Sequence, residues 1–262
     1  MKQQTERFTP AALTLSVVTA ALADGIPQGV PVRRALWLGA ISAVCLCFLS
    51  ALAAAALQDK IPSIAVRLAL TAGLFVELVH TVAQAQELCA EEFSSMALLG
   101  FLPLLLWAGW CIRPASWNAS ARVLWWFVAV GGVVGLLGLA NQLHWYRLFP
   151  PAQLTAAGCS VPVYAEYFAG ALLCGARSVR RTIWLPVWSF AVQAAALLGM
   201  ALLFGDNAYP RLELLRAWSS GSFSRMDALL LLFWLLCAVY RVAMLCAAIR
   251  LLWRQPEAEV QP

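Results

Sequence analysis

The chain has 262 residues, of which 62% are hydrophobic and 12% charged, with a mean hydropathy of +0.77; soluble domains carry about 25% charged residues. This is the composition of a polytopic membrane protein, and it excludes a soluble enzyme, a secreted disulfide scaffold and a nucleic-acid-binding module. The net charge of +5 reflects which side of the bilayer each loop faces and implies no acidic partner.

A bilayer core of about 30 Å is crossed by roughly 17 to 25 apolar residues in a helix. Charge-free runs near that size predict eight spans in one membrane domain, residues 1–262: Ala11 to Ala23, Ala35 to Leu57, Ile64 to Gln86, Ser94 to Ile112, Val123 to Gln142, Ala152 to Ala176, Ile183 to Phe204 and Ala228 to Trp253. None alternates with the period of two that a transmembrane strand requires, so the expected class is an all-α membrane bundle. The first run also fits a cleavable signal peptide, because Lys2 and Arg7 precede it and it ends Ala21-Leu22-Ala23. Cleavage would leave seven spans.

Basic residues set orientation. Lys2, Arg7, Lys60, Arg67, Arg113, Arg122, Arg177, Arg180, Arg181, Arg250 and Arg254 fall on the side of the N-terminus, against Arg33, Arg34, Arg147, Arg211, Arg216 and Arg225 opposite. Both termini are therefore expected in the cytoplasm. Trp37, Trp117, Trp145, Trp184, Trp218 and Trp253 sit near span ends, where indole rings favour the interface. The eight cysteines form no Cys-x-x-Cys pair, and with two histidines, His80 and His144, the chain holds no histidine-rich metal site. No phosphate-cradling loop or nucleophile elbow occurs, so neither a cofactor nor an enzymatic activity is expected.

Charge inside hydrocarbon costs about 2.5–3.5 kcal/mol on insertion scales, so such residues face a bundle interior or a wet cavity. In the third span Glu77, His80, Gln84 and Glu87 fall within about 80 degrees of arc at 100 degrees per residue. Glu77 and His80 can share a proton or a hydrogen bond; the face is either one wall of a polar pathway or a satisfied network that fixes packing. The sixth run begins Ala157-Gly158-Cys159-Ser160-Val161-Pro162, and proline with glycine argues against a continuous helix there. The helix is expected to restart at about Pro162, with Glu166 in its first turn where the dipole favours a carboxylate. Arg241, in the middle of the last span, lies about 21 Å along the helix from Asp227 and must find a partner inside the bundle; Glu77 and Glu166 are the candidates. In the fifth span Gly131-x-x-x-Gly135 permits close backbone approach.

Residues 209 to 241 read Tyr209-Pro210-x-Leu212-Glu213-Leu214-x-Arg216, then Gly221-Ser222-Phe223-Ser224-Arg225-Met226-Asp227, then Trp234 and Arg241. This block resembles the GerAB-type spore germination permeases, a branch of the amino acid-polyamine-organocation superfamily. In that family a Tyr-Pro loop leads through a glycine-phenylalanine turn and an Arg-x-acid pair into a helix with a tryptophan and a later basic residue. Weaker similarities are Leu148-Phe149-Pro150, Gly158, Glu166, Arg122 and Trp37. The family has ten helices, whereas this chain stops after the one resembling the eighth, and Asp24-Gly25-Ile26-Pro27 stands where the first helix would break.

The resemblance implies a shortened LeuT-type inverted-repeat fold with its substrate site at the breaks in helices one and six. It also implies a membrane subunit of a germinant receptor that works with partner subunits in a spore inner membrane. The expected ligand is a small molecule, an amino acid above all, held by Asp24, Gly25, Glu77, His80, Gly158, Ser160 and Glu166, with Arg241, Asp227 and Arg225 as structural charges. A proton-coupled transporter using Glu77, His80 and Glu166, and a structural membrane partner that binds nothing, are the alternatives.

Overall fold

The computed structural model describes residues 7–24, 32–57, 62–93, 97–139, 162–174, 178–204 and 226–254. Its elements are α1 (Pro10–Asp24), α2 (Val32–Leu57), α3 (Ile64–Phe93), α4 (Ala97–Cys111), α5 (Pro114–Leu139), α6 (Glu166–Leu173), α7 (Val179–Thr182), α8 (Leu185–Phe204) and α9 (Met226–Trp253). Apart from an isolated bridge between Phe8 and Cys174, the described residues form helices and their connections, as the sequence leads one to expect. Four helical stretches, Arg34–Leu57, Ile64–Ala90, Val179–Gly199 and Leu229–Trp253, are long and apolar enough to cross a membrane, while Pro10–Asp24 and Gly100–Cys111 are shorter apolar helices.

The boundaries differ from the hydropathy reading in ways that have physical causes. α5 begins at Pro114, nine residues before the apolar run, because proline suits the first helical position and a helix continues past the hydrocarbon edge. Arg122 is thus internal to α5. α3 likewise runs on to Phe93. The sixth helix restarts at Glu166 and not at Pro162: residues 162–164 are irregular, and Ala165 forms the turn that precedes α6. Gly25, Gly158, Ser160 and Arg225 lie outside the described residues, as does the whole segment from Tyr209 to Arg225.

Side-chain and backbone contacts fix the direction of each helix. α9 runs antiparallel to α1 and α3, since Arg241 meets Ser16 and Thr81 while Trp234 and Trp253 bond Thr19 and Thr71. α4 is parallel to α9, through Cys246 on the Leu106 carbonyl and Arg250 on those of Trp110 and Ile112. α5 is parallel to α1, with Asn118 on Thr9 and Trp125 on Ala11. α6 ends where α1 begins, Phe8 N–H donating to Leu173 O at 3.0 Å, and Ser50 of α2 reaches Ile183 just before α8. The starts of α1, α3, α5 and α8 and the ends of α2, α4, α6 and α9 therefore share one end of the bundle. Arg7, Arg67, Arg113, Arg122, Arg180, Arg181, Arg250 and Arg254 all lie towards that end, whereas Arg33 and Arg34 open α2 at the other.

α9 is the central post, packed on α1, α3, α4, α5 and α6, with α8 against α1 and α2. In its apolar stretch 61% of residues are buried, against 17% for α3, so α9 is interior and α3 presents a broad face outward. Trp37, Phe48, Phe75, Trp107 and Trp126 are exposed on that periphery, as lipid-facing residues are. Ten of the fifteen residues of α1 are buried, which makes it part of the folded core; cleavage after Ala23 would remove that packing.

Gly109 sets the α4–α9 distance: a Cβ there would stand 2.5 Å from Ala243 O. A Cβ on Gly131 would meet Phe233 of α9 only at an ordinary 3.4 Å, and one on Gly132 would meet nothing within 4 Å, so the contact that requires glycine is in α4, and Gly131 of the expected α5 pair makes none. Gly109→Ala is expected to destabilise the detergent-solubilised protein by about 1–3 kcal/mol through overpacking, read as a lower melting temperature. Gly132→Ala should be neutral or stabilising by up to about 1 kcal/mol; equal effects at the two positions would contradict this packing.

Candidate functional site

After Pro162 and the irregular backbone that follows it, the first N–H groups of α6 take turn acceptors, Tyr167 N–H donating to Tyr164 O and Phe168 N–H to Ala165 O at 3.1 Å. The Ala165 N–H donates to Glu77 Oε1 of α3. That approach depends on Gly73, one turn earlier on α3, where a Cβ would stand 2.9 Å from Ala165 Cβ. Glu166, at the first position of α6, is fully buried, and its Oε1 accepts from Ser16 Oγ of α1 at 2.9 Å.

Arg241 of α9 enters this junction with 1% exposure. Its Nε donates to Thr81 Oγ1 at 3.1 Å and Nη1 to the Ser16 carbonyl at 2.6 Å. Nη2 reaches both Glu77 Oε2 and, at 3.1 Å, Glu166 Oε1. The guanidinium carbon also lies 5.3 Å from the centre of the Tyr164 ring, in cation–π range. Four helices and the irregular strand of chain before α6 thus converge on one planar cation, and guanidinium suits this because its donors spread in a fixed fork.

A second polar group adjoins the first. Asp24, the last residue of α1, accepts from Gln84 Nε2 at 2.8 Å and lies 2.8 Å from His80 Nε2, while its other oxygen accepts from Tyr164 O–H at 2.7 Å. His80 is half exposed and Asp24 largely covered. Tyr164 therefore joins the clusters, its hydroxyl on Asp24 and its ring beneath Arg241.

Of the site residues read from sequence, Asp24, Glu77, His80, Glu166 and Arg241 come together at this junction. Glu77 and His80, three residues apart, do not bond each other; they take different partners, Arg241 and Asp24, because α1 and α9 flank α3 at different heights. Asp227 stands in the first turn of α9, far along the helix from Arg241. Glu87 has no part in the bonds around Arg241. Among the described residues no cluster of histidine, cysteine and carboxylate side chains could hold a metal ion.

Ser16, Thr81 and Tyr164 were not singled out by sequence, nor were Tyr167 and the α8 pair Ser189 and Gln193. Both α8 residues are fully buried, and Glu166 Oε2, Tyr167 OH, Ser189 Oγ and the Gln193 amide have no hydrogen-bond partner among the described residues. A buried polar atom without a partner costs about 1–3 kcal/mol, so this flank is where a polar ligand or water gains most. A signal existed: Ser189 and Gln193 are four apart, on one face of an otherwise apolar helix.

The chain matches no protein-family model, no curated protein and no solved structure.

Removing one member of a buried ion cluster strands the others at a cost of about 3–5 kcal/mol. Arg241→Leu is expected to reduce accumulation and melting temperature sharply, and the triple variant with Glu77→Gln and Glu166→Gln to recover much of the loss. A single variant as stable as the wild type would mean that water, not the protein, solvates Arg241.

Proposed function

We propose that the chain is the membrane subunit of a germinant-receptor-like complex that binds a small nutrient of the amino acid class. The observation that carries the reading is the meeting of Arg241, Glu77 and Glu166 inside an apolar bundle, at the point where α6 begins after interrupted backbone. Ionisable groups at that depth mark ligand or ion pathways. A zwitterion presents both charges that such a junction recognises: its carboxylate suits Arg241, and its ammonium group suits Glu166 Oε2 with Tyr167 and Ser189. The Tyr209 to Arg241 motif supports the germination context, including partner subunits and a spore inner membrane. The same reading gives eight spans in a shortened inverted-repeat fold. The crowding of arginines at the end where α1 starts and α9 finishes supports a cytoplasmic location for both termini.

The direct test is thermal-shift and calorimetric binding of an amino acid panel to the full-length protein in nanodiscs. One or a few amino acids are expected to raise the melting temperature, with the shift lost in Glu166→Gln and reduced in Gln193→Leu. Binding unchanged in both would remove the site from this junction, and no binding by folded protein would favour the structural-partner reading.

A second reading rests on the charge balance, two carboxylates sharing one guanidinium: proton-coupled transport. It requires amino acid uptake by proteoliposomes under an imposed pH gradient, abolished by Glu77→Gln; binding without uptake favours the receptor.

A further inference from the structure

A groove of about 420 Å³ opens between the start of α1 and the first half of α5, lined by Thr9, Ala11, Asn118, Arg122, Trp125, Trp126 and Ala129. Its volume lies within the ~300–1,000 Å³ range of small-ligand sites. The floor is built by specific bonds. Asn118 Oδ1 accepts from Thr9 N–H at 2.8 Å, Asn118 Nδ2 donates to Arg7 O at 2.9 Å, and Trp125 Nε1 donates to Ala11 O at 3.0 Å. Trp126 stands on the rim, 72% exposed.

Arg122 is exposed in this groove and makes no hydrogen bond or ion pair among the described residues. No carboxylate occurs in residues 7–23 or 97–139, the described segments that line the groove. The position is about 12 Å along α5 from Pro114, on a surface that otherwise carries apolar side chains such as Val123, Phe127 and Val130. An arginine at the edge of an apolar face is matched by an acidic headgroup, and the described residues around it provide no anion.

We propose that this groove binds an anionic phospholipid, with Arg122 on the phosphodiester, Asn118 and Thr9 beside the headgroup, and Trp126 with Ala129 along the upper acyl chain. Charge complementarity selects the occupant. The groove lies at the arginine-rich end of the bundle, and basic pockets between membrane helices recognise acidic headgroups. Paired interfacial tryptophans match the boundary between headgroup and chain. This site is separate from the Arg241 junction: none of its lining residues bonds Arg241, Glu77 or Glu166.

The test is lipid retention by the purified full-length protein, read by native mass spectrometry after exchange into mixed phosphatidylglycerol and phosphatidylcholine micelles. Wild type is expected to retain phosphatidylglycerol preferentially, and Arg122→Gln to lower that preference about fivefold, the effect of one basic side chain near an anionic surface. Arg181→Gln, an exposed arginine at the same end, should leave it unchanged. Inorganic phosphate at millimolar concentration should not displace the lipid. Equal retention of the two lipids by wild type, an unaltered preference in Arg122→Gln, or an equal loss in Arg181→Gln would each overturn the proposal.

Discussion

The contact on which the bundle's arrangement depends is the guanidinium of Arg241 between Glu77 and Glu166. A buried charge cluster of this kind adds little net stability, because desolvation offsets attraction, but it sets a demanding geometric condition. α1 must present the Ser16 carbonyl, α3 must present Glu77 and Thr81, and α6 must begin where its first carboxylate points inward. Moving α9 by one residue would rotate Arg241 by about 100 degrees and leave both carboxylates stranded. Register in an otherwise apolar bundle, where leucine fits leucine almost anywhere, is specified here by polar groups.

The irregular residues before α6 belong to the same arrangement. A continuous helix through Ala165 would direct that N–H along its own axis; because Pro162 interrupts it, the N–H turns sideways to Glu77. Gly73 provides the clearance for that turn. From there the polar groups continue through Tyr164 to Asp24, Gln84 and half-exposed His80, so the buried charges are linked to the surface by side chains from only three elements: α1, α3 and the segment before α6.

Much of this was legible in the sequence, for a simple reason. Apolar run length and the rarity of charge inside it report helices and the residues that need partners, so Glu77, Glu166 and Arg241 stood out against their surroundings. Hydrophobicity has no sense of direction along a chain, however. It could not place the start of α5 at Pro114 or of α6 at Glu166, since those depend on backbone donors and on helix continuing beyond the apolar layer. It also could not pair residues across helices: Glu77 and His80 look like neighbours in sequence, and their partners are contributed by α9 and α1. Ser16, Thr81 and Tyr164 are ordinary residues in apolar helices or their connections until the fold brings a guanidinium to them.

The absence of a side chain at Gly109 has a mechanical consequence. With its backbone pressed against that of Ala243, α4 is clamped to α9, and α9 is in turn bound to α3 through Thr81, Glu77 and Thr71. On the other side, α6 is tied to α1 by the Phe8–Leu173 bond and by Ser16 on Glu166. The bonds of Arg241 divide evenly across this seam, two to α3 and two to the α1–α6 pair. Any opening of the junction would have to part these two groups of helices at Arg241 and also at Trp234 on Thr19, at Asp24 with Gln84 and His80, and at the Ala165 N–H on Glu77.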